Sequence, residues 1–137
     1  MASFLYAVAE KGFLDADIDL LTDTIKVRAV ADDDYTASEA HSAMSSVTAY
    51  SGTTDPTVSA GKSTTAGVFD ADNISAAWSS VSQDATKQID ALVVYKFVTD
   101  DAGSTPIAYI DLTTPFTPNG GDINLNFNAS GIFSIAA

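Results

Sequence analysis

Eight consecutive residues, Ala91 to Val98, are apolar on both alternating faces, with Lys96 the one interruption. Leu92, Val94 and Val98 share one face; Ala91, Val93, Tyr95 and Phe97 share the other. A strand with two apolar faces must be covered above and below, so it belongs at the centre of a sheet. A short buried helix is the competing reading, and the β-branched and aromatic content favours the strand. Asp100-Asp101-Ala102-Gly103-Ser104 then carries loop chemistry. Pro106 suits the start of a strand but not its middle, so Ile107 to Leu112 is expected to return as the hairpin partner. Pro115 and Pro118 bracket a connection that should lie outside any ladder. Asn119-Gly120-Gly121-Asp122 is a turn signal. Ile123, Leu125 and Phe127 alternate with Asn124, Asn126 and Asn128, a strand with one buried and one wet face. Gly131 interrupts it, and Phe133 and Ile135 resume an apolar run. Val93, Tyr95, Ile110, Leu125 and Phe127 are the expected core.

The N-terminal half is less regular. Residues Ser3 to Phe13 read as a short amphipathic helix capped by Ser3 and ended by Gly12, with Phe4, Leu5 and Val8 on one face. Asp23 to Val30 reads as a strand, with Ile25, Val27 and Ala29 alternating with Lys26 and Arg28. Asp32-Asp33-Asp34-Tyr35 is a charged loop, and Ala37 to Met44 suits one or two helical turns carrying His41. Ser45 to Gly67, rich in Ser, Thr and Gly, suggests a long surface loop with one strand near Thr57 to Ser59. Thr65 to Asp70 and Asn73 to Trp78 read as two strands meeting at a turn, and Ser79 to Lys87 as a polar linker. Six to eight short strands with one or two short helices predict a mainly β fold. The expected architecture is a β-sandwich or partly closed barrel with a short N-terminal helix, one domain over residues 1–137.

Charge narrows the partners. Eighteen acidic and six basic residues give a net charge of −12, and no basic residue follows Lys96. Such a chain repels phosphate backbones and anionic bilayers, so neither nucleic acid nor membrane is an expected partner. The chain has no Cys, which removes disulfides and thiolate metal sites. Residues 1–13 lack a charged leader and a long apolar core, so no signal peptide is expected. No apolar run approaches the roughly 18 residues of a membrane span. These features predict a soluble protein made in a cytoplasm.

The chemistry of catalysis is thin. Phosphate loops, nucleophile elbows and metal-binding His pairs are missing. One His and no Cys leave almost no base–nucleophile pair, and the lone His41 is expected to be structural. Carboxylate pairs of the kind glycoside hydrolysis uses are abundant, yet they sit in turns rather than at the ends of apolar strands. Asp15, Asp17 and Asp19 read as a solvated turn; the spacing and distal Glu of a calcium loop are lacking. Trp78, the single Trp, is expected in a core or interface rather than on a sugar platform. No enzyme activity, catalytic residue, cofactor or metal is expected.

Six segments nevertheless fall into a familiar order. They are Phe13 to Val27, Asp34 to Ser46, Gly67 to Ile74, Ala91 to Lys96, Pro106 to Leu112 and Thr117 to Ile123. With them the chain resembles a family of small virion structural proteins of tailed bacteriophages, departing mainly over Ser51 to Lys62. The resemblance implies a copy-rich structural role without catalytic residues, made in the host cytoplasm and carried in the virion. It implies a capsid cement or decoration protein whose partner is the major capsid protein or other virion proteins, most simply as a homotrimer on the lattice. A neck or tail component is the second reading, and a carbohydrate-binding module on a fibre the third. The apolar run of Ile132, Phe133 and Ile135 and the N-terminal Phe4, Leu5 and Tyr6 are the candidate contact elements. Because the acidic turns lack a full ligand set, adding calcium or a chelator should leave the melting temperature unchanged; a large rise with calcium would contradict this.

Overall fold

The computed structural model describes residues 2–84 and 86–135. Its described residues form a mainly β protein with one α-helix, α1 (Ala7–Leu14). The strands are β1 (Phe4–Leu5), β2 (Ile25–Val30), β3 (Thr57–Val58), β4 (Ser63–Thr65), β5 (Val68–Asp70), β6 (Ile74–Trp78), β7 (Ile89–Val98), β8 (Asp100–Phe116), β9 (Ile123–Leu125) and β10 (Phe133–Ser134). The main sheet is antiparallel, in the order β1-β8-β7-β2-β3. Smaller antiparallel sheets join β10-β5-β4 and β6-β9. The main sheet is open, with β1 and β3 at its edges, so it does not close into a barrel.

The doubly apolar strand sits where its pattern requires, with β2 on one side and β8 on the other. Register places Val27 opposite Val94, and Leu92 opposite both Ala29 and Ile110. This face meets Leu125, Phe127 and Ile132. Arg28, Val93, Tyr95 and Tyr109 alternate onto the opposite face. The segment from Met44 to Asp55 covers that face: Arg28 bonds the Met44 and Val47 carbonyls, and the Tyr95 hydroxyl donates to Asp55. Val93, Tyr95 and Leu125 are buried, whereas Ile110 and Phe127 pack half-buried against the core.

Several local expectations yield to tertiary contacts. Phe4 and Leu5 are not helical; they pair with Tyr109 and Ala108, and the Phe4 ring stacks on Tyr109 at 5.1 Å. Ser3 caps nothing, because its Oγ accepts the Asp111 N–H at 2.9 Å. The helix starts after Tyr6, whose side chain makes no cap bond. Gly12 is buried within α1 and does not end it; Ile18 packs where a Cβ would stand, its Cδ1 only 2.7 Å from that position. Residues Ala37 to Ala43 are irregular apart from one turn closed by the His41 N–H on the Ser38 carbonyl, and a short 3-10 turn follows at Met44–Ser46. His41 is held there by the Tyr35 hydroxyl at 2.8 Å.

Pro106 and Pro115 lie inside β8 rather than at its borders. Both fall at register irregularities against β7, where a missing N–H removes no regular ladder bond. Asp100 to Ser104 is extended, yet its turn chemistry is real. Asp100 accepts the Gly103 N–H, and the Ser104 hydroxyl donates to the Asp100 carbonyl and accepts the Val98 N–H. The left-handed residue of this hairpin is Thr99, with φ +59°, and not Gly103.

The stretch Ser45 to Gly67 is less superficial than its composition predicts, since it buries Val47, Tyr50 and Val58. The two strands around Asp70 to Asn73 go to different sheets. The polar stretch 79–87 contributes buried Val81; its position 85 lies outside the described residues. Leu125→Ala should cost about 2–5 kcal/mol in denaturant unfolding, because it empties space between β9 and the main sheet. A loss below about 0.5 kcal/mol would contradict the packing described.

Candidate interaction surface

Helix α1 ends in a way that turns a large apolar residue outward. Ala16 takes the left-handed conformation, with φ +61°. The Asp17 N–H returns to the Gly12 carbonyl at 2.8 Å and the Ala16 N–H to Phe13 at 3.4 Å, the paired bonds of a Schellman ending. The chain then doubles back, seating Ile18 on Gly12 and leaving Leu14 88% exposed. One turn later the Asp19 carboxylate accepts the N–H groups of Leu21 and Thr22, and Asp23 accepts the N–H of Asp19. These bonds, the one from Leu21 foremost, hold the Asp19 carboxyl below its ordinary range. They fix a turn in which Leu20 is buried and Leu21 faces out.

The other wall comes from the far end of the chain. Gly131, at φ +107°, has Val68 where a Cβ would stand, so no larger residue fits without displacement. Ile132 and Ile135 donate N–H bonds to the carbonyls of Phe69 and Gly67. Phe133 meets Phe69 with ring centres 5.5 Å apart. Ile135 is left 51% exposed.

These elements form one continuous surface. A groove lined by Phe13, Leu21, Phe69, Phe133 and Ile135 adjoins one lined by Leu5, Glu10, Phe13, Leu14 and Ile135. A third groove shares Leu5, Glu10 and Phe133 with them. Of the four exposed large hydrophobic residues among the described residues, three lie here: Leu14, Leu21 and Ile135. The fourth, Val98, stands at the hairpin end of β7. Contiguous exposed apolar area marks a contact site more strongly than scattered residues do.

The candidate contact elements divide. Ile132, Phe133 and Ile135 line the surface. Tyr6 is buried in the protein's own core, whereas Phe4 and Leu5 pair in the main sheet, half-buried, and also line the grooves. Residues 136 and 137, at the end of the C-terminal run, lie outside the described residues. Leu14 and Leu21 escaped the sequence reading. Their local signal is a Leu set beside an Asp-rich turn, and only the turn geometry says which Leu faces out.

Several ionisable groups elsewhere tie elements of the fold together. Asp32 accepts the Tyr109 hydroxyl, while Asp34 pairs with Lys87. Among the described residues no three His, Cys, Asp or Glu side chains gather as a metal site would need. Trp78 is buried, and so is every Tyr. Compared with known proteins, the chain matches no family model, no curated protein and no solved structure.

Burial, above all, raises the hydroxyls of Tyr6, Tyr95 and Tyr109 well beyond the ordinary range; hydrogen bonding to Tyr35, Asp55 and Asp32 respectively adds to it. In an unfolded chain these groups ionise near pH 10, roughly. A raised folded value contributes stability that is complete below the unfolded value and lost as pH rises toward the folded one. Stability should therefore fall above about pH 10, with tyrosinate absorbance rising together with unfolding. Titration of all five tyrosines near that pH in a still-folded protein would contradict this.

Proposed function

We propose that this chain is a non-catalytic structural protein of a tailed-phage virion, a capsid cement or decoration subunit. It binds the lattice of the major capsid protein, as a homotrimer, and works by protein contact. The observation that carries this reading is the apolar surface built by α1, the 15–23 turn and β10. A protein of this size that leaves Leu14, Leu21 and Ile135 exposed side by side has area left for another protein to cover. The in-order resemblance of six segments to small virion proteins supports the setting.

Burial of the one Trp and all five Tyr argues against a sugar-binding module, which needs exposed rings to stack on. Repeated lattice sites demand many copies, whereas a single neck ring uses few. Quantitative mass spectrometry of purified virions should find this chain at a fixed ratio to the major capsid protein, with copies on the order of hundreds per particle. A few to about a dozen copies would favour the neck, and its absence from particles would overturn the reading.

A further inference from the structure

We infer that the apolar surface takes a protein segment pairing apolar side chains with Lys or Arg, and not a second copy of this chain. The inference rests on reading the chain as a subunit that works by protein contact, and it names the chemistry of what that contact accepts.

The charges around the surface carry it. Within the three adjoining grooves the charged lining residues are Glu10 and Asp19, both exposed. From Glu10 to Asp23 the sequence holds five carboxylates and one lysine, a net of −4. Lys11 pairs with Asp15, and Lys96 with Asp23. Lys62, bonded to the Asp23 carbonyl, offsets part of the charge of Asp19. Glu10 and Asp19 remain on this side as the less compensated acids. The other wall contributes nothing positive, since no side chain from Ile123 to Ile135 is charged.

A two-fold contact between copies would set the same acidic border against itself. A head-to-tail contact would bring it to another face of a chain whose net charge is −12. Like charges in apposition disfavour both, whereas a basic border on a different protein is attracted. Any contact between copies therefore falls to another face. The occupant must also fill apolar grooves, so a polycation without apolar side chains does not fit.

The test uses the full chain and three synthetic peptides labelled for fluorescence anisotropy. One carries Leu and Phe with interspersed Lys, the second replaces Lys by Glu, and the third keeps Lys but replaces Leu and Phe by Ser. The first should bind at least about tenfold more tightly than either control, and its affinity should fall with added salt. Leu14→Ser with Ile135→Ser should weaken it about tenfold, and Glu10→Gln should weaken it and flatten the salt dependence. All three positions are exposed, and thermal melts verify that the variants fold. Val98→Ser, at the hairpin end, should leave binding unchanged.

Equal binding of the Ser-substituted peptide, or undiminished binding by the folded Leu14→Ser, Ile135→Ser protein, overturns the inference. So does sedimentation showing that this same double variant dissociates an oligomer, which would make the surface a self-contact. The virion reading is judged separately. Presence in particles without peptide binding removes this inference alone, and peptide binding by a protein absent from particles removes the virion reading alone.

Discussion

One guanidinium organises the covered face of the main sheet. Arg28 stands in the middle of β2 with only 8% of its side chain exposed. Its Nε donates to Asp55, and its Nη1 donates to the carbonyls of Met44 and Val47. Its Nη2 reaches Asp101 and Asp55, each at 2.9 Å. Burial alone would lower its proton affinity, but the bonds and charges of Asp101 and Asp55 outweigh burial and keep it charged. A buried cation is tolerated only with such complete pairing. Its partners come from the Ser/Thr-rich segment after β2 and from the hairpin between β7 and β8. The polar demand of one side chain thus fixes where two otherwise weakly specified segments lie. Tyr95, bonded to the same Asp55 oxygen at 2.7 Å, joins the central strand to this arrangement.

What was legible in the sequence was local. Ala91 to Val98 declares itself central because both faces of its own eight residues are apolar. The Asn-Gly-Gly turn and the Ile123-Leu125 alternation are likewise complete within a few positions. Arg28 was not legible in this way. Its alternation with Ile25, Val27 and Ala29 places it on a wet face, and the acids that reverse that reading lie 27 and 73 positions away. The same holds for Phe4, whose helical neighbourhood is overruled by a ring more than a hundred residues downstream, on Tyr109. Pro106 failed the local rule because a ladder irregularity, invisible in composition, supplies a place for a residue without an N–H.

The contact surface shows the same division. The apolar character of Ile132, Phe133 and Ile135 can be read directly. The outward direction of Leu14 depends on Ala16 taking a left-handed conformation that Gly or Asn adopts more readily. That of Leu21 depends on an Asp19 carboxylate closing its own turn. Hydrophobicity is written residue by residue, whereas exposure is a property of the turn that follows. An Asp-rich segment therefore serves two ends at once, shaping the turns and setting a negative border beside apolar grooves.

The strand order bears on how the chain comes off the ribosome. The central strand is β7, and it is made long after β2, which must lie against it. β1 waits longer still, because its partner residues are Ala108 and Tyr109 in β8. Through most of translation β2 has only the two-residue β3 to pair with, at Ile25 and Lys26. The β7–β8 hairpin closes between neighbours in sequence, so it is the natural nucleus, and the earlier strands dock onto it afterwards. Until then the nascent chain holds unpaired apolar segments, and its excess of carboxylates is what keeps neighbouring chains apart.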